Sequence, residues 1–139
     1  MTRQVREVMT DAPLAVGVDT SVAETARLMR EQGVGVVLVM AEERLHGLVT
    51  DRDLVVRAAA DGGDPSAIPV REACSQQLLT VGPDEPLGRA VDLMRQGAVR
   101  RLPVVDGERP VGIISLGDLA VERDPGSALG EISTARPND

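Results

Sequence analysis

The spacing of apolar residues predicts a helix early in the chain. Ser21, with Glu24 three residues later, is typical of a capping box that opens a helix. The apolar stripe of that helix consists of Val22, Ala26, Met29 and Val34. Gly33 predicts the end of the helix, because glycine readily takes the left-handed conformation that closes one.

An unbroken apolar run over residues 36–40 follows and predicts a strand buried on both faces. Residues 41–44 supply a turn, and residues 46–49 return as a second strand. Residues 50–53 then open another helix, which we expect to extend through residue 60. With a short apolar stretch at 14–18 ahead of the first helix, the predicted order is strand, helix, strand, strand, helix.

The same pattern occurs a second time, since a shift of 65 residues carries Gly47–Asp53 onto Gly112–Asp118. Both stretches read glycine, two aliphatic residues, a hydroxyl residue, two variable positions and an aspartate. The shift also carries Val5–Glu7 onto Val70–Glu72. Self-similarity at a fixed period indicates one structural unit built twice.

In the second copy, a helix begins near Pro86, and its predicted apolar stripe consists of Leu87, Val91, Met94 and Ala98. The other predicted elements are a short strand at 79–81, a hairpin at 102–105 and 111–114, and a last helix from Leu116. The predicted boundaries are repeat one at 5–60, a linker at 61–69, repeat two at 70–122 and a mobile tail at 123–139.

Composition and charge exclude several functions. The chain has 139 residues, a formal net charge of −7, and no Phe, Tyr or Trp. That charge argues against a nucleic-acid partner, and without a long apolar run we expect no membrane partner and a cytoplasmic location. One cysteine, Cys74, and one histidine, His46, make neither a disulfide nor a metal site, and we expect no cofactor.

The repeated motifs resemble the CBS domain family, named after cystathionine β-synthase. The resemblance rests on Val5–Thr10, on the two glycine-to-aspartate motifs and on Val99–Asp106, and it covers about residues 5–122. It implies an α/β fold of two pseudo-symmetric β-α-β-β-α repeats packed as one stand-alone Bateman module. It also implies a regulatory module that binds AMP, ADP, ATP, NAD or S-adenosylmethionine in the cleft between the repeats, and that associates as a homodimer.

The hydroxyl and aspartate of each motif fit two roles. The aspartate can accept hydrogen bonds from the two ribose hydroxyls, and the helix N-terminus beside it favours an anionic phosphate. Thr50 with Asp53, and Ser115 with Asp118, also fit ordinary capping boxes. One side chain can serve both roles, so both interpretations stay open.

Carrying the family's binding residues onto this chain predicts two sites that draw on both repeats. The members of the first, site B, are Asp118, Ser115, Ile113, Arg100, Arg101, Met9, Thr10, Pro13, Leu14, Val34 and Gly35. The members of the second, site A, are Asp53, Thr50, Leu48, Cys74, Ser75, Leu78, Leu79, Val99 and Arg100. Most of the apolar members, and Cys74 with them, are equally consistent with plain core residues.

The two sites differ in charge. Arg100 and Arg101 occupy the positions that the resemblance associates with phosphate, and in repeat one those positions are Gly35 and Val36. Arginine binds phosphate well because its planar guanidinium offers paired donors. We therefore expect phosphorylated adenosine to prefer the Asp118 site, which leaves the Asp53 site weak, empty or suited to an uncharged ligand.

The sequence thus favours a non-catalytic sensor of an adenosine compound, whose conformation is read by an effector protein that the sequence does not name. The alternative is a ligand-free structural or protein-interaction module in which the motif aspartates are only caps. An enzyme is the third hypothesis and has the least support, because no nucleophile and base pair or metal cluster can be assembled from these residues.

Overall fold

Two three-stranded sheets form the framework of the chain, which a computed structural model describes over residues 3–11, 14–74 and 78–123. Apart from its first residue, the predicted tail at 123–139 lies outside the described residues. The strands are β1 Thr10–Asp11, β2 Ala15–Gly17, β3 Val36–Ala41, β4 Arg44–Thr50, β5 Arg101–Asp106 and β6 Arg109–Ser115. The helices are α1 Val22–Gln32, α2 Asp51–Asp53, α3 Leu87–Gly97 and α4 Leu116–Arg123.

The chain divides into two compact units. The first unit is Leu14–Leu78, and the second unit joins Met1–Pro13 to Leu79–Asp139. The predicted repeat boundaries follow sequence similarity and stay a prediction, whereas these units follow packing. The difference between the two divisions comes from the short segments that begin each repeat.

In the first unit, β3 is the central strand, with β2 parallel to it on one side and β4 antiparallel on the other. The predicted order of strand, helix, strand, strand, helix is confirmed here. The buried middle of β3, Val37–Val39, confirms a strand covered on both faces. The second helix is less regular than expected, because α2 continues as a π-turn at Leu54–Ala58 and a 3-10 turn at Ala59–Asp61.

Helix α1 begins and ends where the sequence predicts. The Ser21 hydroxyl accepts a hydrogen bond from the Glu24 amide at 3.0 Å, and Gly33 closes the helix at φ 66°. The capping box is only half made, because the Glu24 carboxylate pairs with Arg27 instead.

The predicted apolar stripe of α1 is partly wrong, since Ala26 and Val34 are exposed and Thr25 is fully buried. The Thr25 hydroxyl donates to the Ser21 carbonyl at 2.9 Å, so its burial leaves no polar group unpaired. Val34 lies beyond Gly33, where the helical periodicity no longer applies.

In the second unit, β6 is central, with β1 and β5 antiparallel to it on either side. The strand predicted at 79–81 is reduced to one parallel bridge between Val81 and Val104. Helix α3 follows Pro86 as expected, and its buried residues are Leu87, Ala90, Leu93 and Met94. Ala98 is not part of this stripe, because it caps the helix with a positive φ of 52° and is exposed.

A short 3-10 segment at the start of repeat one, Val5–Glu7, packs in the second unit. The Val5 amide donates to the Glu85 carbonyl and the Arg6 amide to the Pro83 carbonyl, both at 2.9 Å. Arg6 also forms an ion pair with Asp84. Repeat one therefore contributes its first residues, including β1, to the unit built mainly from repeat two.

The equivalent segment of repeat two, Val70–Ala73, packs in the first unit in the same way. The amides of Val70 and Arg71 donate to the carbonyls of Thr20 and Val18, at 2.7 and 3.2 Å. Arg71 forms an ion pair with Asp19. Each of these contacts maps onto its counterpart in the second unit by the 65-residue shift, so the two repeats exchange their first segments reciprocally.

Candidate functional site

The second motif ends in a complete capping box where β6 meets α4. The Asp118 amide donates to Ser115 Oγ at 3.1 Å, and the Ser115 amide donates to Asp118 Oδ2 at 2.9 Å. Asp118 Oδ1 has no hydrogen-bond partner among the described residues. The structural role therefore uses one carboxylate oxygen and leaves the other available to a ligand hydroxyl.

The first motif forms the same box at the start of α2. The Asp53 amide donates to Thr50 Oγ1 at 3.1 Å, and the Thr50 amide donates to Asp53 Oδ2 at 2.9 Å. Here the other oxygen, Oδ1, faces Arg57 Nε at 3.5 Å. At the position matching Arg57, repeat two has Glu122, which pairs with Arg3.

The first backbone N–H of each helix is held in the same way. The Asp51 amide donates to the Gly35 carbonyl at 3.0 Å, and the Leu116 amide donates to the Arg100 carbonyl at 2.8 Å. These two pairs of residues are equivalent under the 65-residue shift. Each motif is thus hydrogen-bonded to the residue just before the neighbouring strand, β3 in the first unit and β5 in the second.

The second N–H of each helix differs. In α2 the Arg52 amide donates to Asp51 Oδ1 at 2.8 Å. In α4 Leu116 offers no acceptor, and the Gly117 amide has no partner within the described part of the chain. Unpaired amides at a helix N-terminus attract anions, so α4 offers a donor that α2 has already used.

Arg100 and Arg101 lie beside the start of α4. Arg101 is opposite Ser115 in the β5–β6 ladder, and both arginines are exposed. Neither forms an ion pair with any residue that the structure describes. In the first unit the position equivalent to Arg100 is Gly35, which lies close to the Asp51 carboxylate. A Cβ built on Gly35 would be 3.3 Å from an Asp51 carboxylate oxygen.

The second unit also brings Met9, Thr10 and Ile113 of site B together. Thr10 of β1 pairs with Ile113 of β6, two residues before Ser115. A Cβ on Gly112 would lie 2.7 Å from both Met9 Sδ and the Thr10 carbonyl oxygen, so only glycine lets β1 approach. This role of Gly112 was not predicted, although the glycine that opens both motifs was a signal for it.

The remaining members of site B fall elsewhere. Leu14, Val34 and Gly35 belong to the first unit, whereas Pro13 lies outside the described residues. Membership of site B stays a prediction.

In site A, the first unit brings Thr50, Asp53 and Cys74 together. Cys74 is buried, and burial followed by the nearby Asp53 charge raises the pKa of its thiol from 9.0 to about 11, against a lowering by Arg57. Its Sγ donates to the Val70 carbonyl at 3.5 Å. A protonated, buried thiol is a weak nucleophile, which agrees with Cys74 as a core residue.

The other members of site A are divided between the units. Leu48 and Leu78 are half-buried in the first unit. Leu79, Val99 and Arg100 belong to the second, where Leu79 and Val99 flank Gly97 closely. Ser75 lies outside the described residues.

An apolar groove of about 420 Å³ lies along α3 and α4 of the second unit. Its lining consists of Val91, Met94, Arg95, Val99, Leu116, Leu119 and Ala120. Leu116 is 43% exposed. The first unit exposes large apolar side chains as well, with Val55 at 63%. Both units therefore present aliphatic surface to solvent.

Within the described residues, no group of three or more His, Cys, Asp or Glu side chains is arranged to hold a metal ion. None of the helices in this part of the chain combines the length and apolar character needed to cross a membrane.

A family model, a curated protein and a solved structure all match most of this chain. A family model for the CBS domain matches residues 5–59 and 70–123. The CBS domain-containing protein YhcV of Bacillus subtilis (strain 168) is 40% identical in an alignment of 133 positions, which covers 93% of this chain and 94% of that protein. The crystal structure of Hypoxic Response Protein I with two coordinated zinc ions matches with a TM-score of 0.78 and 30% identity, covering 86% of this chain and 98% of that one.

A more distant structure shares the fold. The CBS domain pair of protein MJ0100, in complex with 5′-methylthioadenosine and S-adenosyl-L-methionine, has a TM-score of 0.76 and 20% identity. The match covers 86% of this chain and 94% of that one.

Proposed function

Because the chain belongs to the CBS domain family, we propose that it is a non-catalytic regulatory module for adenosine-containing ligands. The α/β fold with two CBS repeats, predicted from the resemblance to that family, is confirmed. The ligands that fit the proposal are AMP, ADP, ATP, NAD and S-adenosylmethionine.

The observation that carries this proposal is that the Asp118 carboxylate has one oxygen in a hydrogen bond and one oxygen without a described protein partner. Its Oδ1 is free of protein partners among the described residues, while Oδ2 and the amide fasten the motif. Because the capping box already holds the Asp118 carboxylate in place, its free oxygen can accept hydrogen bonds from the two ribose hydroxyls without a further loss of side-chain entropy. A cap alone needs only Oδ2, so the free oxygen favours a ligand role beside the structural one.

The surroundings of Asp118 suit a phosphate. The Gly117 amide is unpaired among the described residues, and Arg100 and Arg101 add two exposed cations next to the start of α4. A charge-assisted hydrogen bond contributes about 1.5–3 kcal/mol, so these donors favour AMP, ADP or ATP over adenosine. The ligands of protein MJ0100 are adenosine compounds without a phosphate group, so they fit the adenosine part of the proposal and not its phosphate part.

The chain supplies its own control for this proposal. Asp118→Ala and Asp53→Ala remove the same capping box from equivalent motifs, so their effects on folding should be similar. We expect Asp118→Ala to weaken AMP binding by about 10- to 150-fold, and Asp53→Ala to leave the tighter AMP site in place.

Isothermal titration calorimetry on both variants measures this difference, and thermal shift with a nucleotide panel screens the ligand first. If no adenosine compound stabilises the parent protein at millimolar concentration, the sensor proposal fails and the motif aspartates are caps only. If Asp53→Ala abolishes AMP binding while Asp118→Ala does not, the assignment of the phosphate site is reversed.

We further propose that the module acts as a homodimer. The groove along α3 and α4, and the exposed Val55 of the first unit, leave aliphatic surface uncovered in a single chain. A specific dimer buries at least about 1,200 Å² in total, and such a face supplies its apolar centre. Ligand binding would then shift the packing that an effector protein reads.

A further inference from the structure

We infer that Asp51 excludes phosphate from the Asp53 motif, so that this motif takes adenosine compounds without a phosphate group. The inference rests on the proposed function, because it assumes that the motif aspartate holds a ribose. Asp51 is then a residue that determines specificity, because its carboxylate selects against ligands that carry a negative charge.

The position of Asp51 carries the argument. It is the first residue of α2, where α4 has Leu116, and its side chain is exposed. Its Oδ1 accepts the Arg52 amide at 2.8 Å. The carboxylate therefore occupies the backbone donor that a phosphate oxygen would use, while the matching Gly117 amide in α4 is unpaired among the described residues.

The neighbours of Asp51 strengthen the effect. Its Oδ2 would lie 3.3 Å from a Cβ on Gly35, which is the position occupied by Arg100 in the other motif. The start of α2 thus has a carboxylate where the start of α4 has two arginines nearby. A phosphate beside α2 would meet a like charge and would also lose one amide donor.

The cations near α2 do not reverse this balance. Arg57 faces Asp53 Oδ1 at 3.5 Å and offsets that carboxylate. Arg52 follows Asp51 directly and is exposed, with no ion pair to any described residue. Successive helical residues are about 100° apart around the axis, so Arg52 and Asp51 start from different sides of α2.

An aspartate in the first turn of a helix also stabilises that helix through its dipole and hydrogen bond. This structural role alone would change the binding of all ligands equally when Asp51 is replaced. Charge exclusion changes the binding of phosphorylated ligands selectively. The ratio of AMP affinity to adenosine affinity therefore separates the two roles.

The experiment measures AMP and adenosine by titration calorimetry in an Asp118→Ala background, which leaves the Asp53 motif as the ribose site. Asp51→Asn removes the charge and keeps a hydrogen-bond acceptor. We expect it to strengthen AMP binding by about 10-fold relative to adenosine, with the gain shrinking as salt is added. Equal changes for the two ligands, or no change, would overturn the inference.

The reverse substitution tests the same idea on the other motif. In an Asp53→Ala background, Leu116→Asp should weaken AMP by about 10-fold relative to the matched neutral variant, Leu116→Asn. Adenosine should distinguish the two variants much less, and equal losses for both ligands contradict the inference. If the parent protein binds neither AMP nor adenosine, the proposed function itself has failed, which is a different result from unselective binding.

Discussion

Gly112 is the residue whose replacement should disturb the candidate site most directly. In Gly112→Ala, the new Cβ would lie 2.7 Å from the Thr10 carbonyl oxygen and from Met9 Sδ, whereas an ordinary contact is 3.4–4 Å. The Met9 side chain can rotate away, but the Thr10 carbonyl is backbone and moves only with β1. The substitution should therefore push β1 away from β6 or detach it.

The size of the effect can be bounded in two ways. Overpacking of this kind costs about 1–3 kcal/mol. Detaching β1 instead loses its backbone hydrogen bonds to β6, at about 1 kcal/mol each. Both routes lead to a loss of about 2 kcal/mol in the free energy of unfolding, and to a fall of about 6–10 °C in Tm for a chain of this size.

Urea unfolding followed by far-ultraviolet circular dichroism measures this loss, since the chain has no tryptophan to report by fluorescence. Gly17→Ala is the matched control, because Gly17 is also in a strand and its Cβ would meet only Thr20 Oγ1, at 3.9 Å. A Gly112→Ala variant within about 0.5 kcal/mol of the control would refute the argument from close approach.

Three further outcomes are expected. The Cys74 thiol has its folded pKa raised from 9.0 to about 11, so the stability it contributes is fully present below pH 9 and is lost as the pH rises through 11. Cys74→Ala should flatten that part of the stability curve, and an unchanged slope would contradict the burial argument. Val55→Asp should shift the dimer to monomer in light scattering. The control Ala26→Asp, on the exposed face of α1, should not. A parent protein that is monomeric at high micromolar concentration would exclude the dimer. A mobility-shift assay at physiological salt should show no binding of duplex DNA, since the net charge is −7, and a shift at sub-micromolar protein would revive a nucleic-acid role.

The order of elements and the helix caps were predictable because they depend on neighbouring residues. Ser21 and Gly33 act within one helical turn, and the Thr50 and Asp53 box closes over three residues. The burial of Thr25 was not predictable, because its hydroxyl is satisfied by a backbone carbonyl that only the folded helix places within reach.

The candidate site was predictable in part for the same reason. The pairing of Ser115 with Asp118 follows from the motif, whereas the free Asp118 oxygen and the Asp51 hydrogen bond depend on where each side chain turns. The approach of Thr10 to Ile113 joins residues about a hundred positions apart, which no local pattern reports, and only the family resemblance placed both residues in site B. The family resemblance combined early residues of each repeat with the other repeat's motif in sites A and B, but the packing of Val5–Glu7 and Val70–Ala73 in the opposite units was not itself predicted.

That reciprocal packing bears on how such a chain could have arisen. A protein holding one repeat would have its first segment placed to complete a neighbour's unit rather than its own, as in domain swapping. Two copies would have had to meet before either was whole. Joining them in tandem would replace this encounter with an intramolecular one at high effective concentration. Copies joined in one chain can differ from each other, and here Asp51 stands in one motif where Leu116 stands in the other.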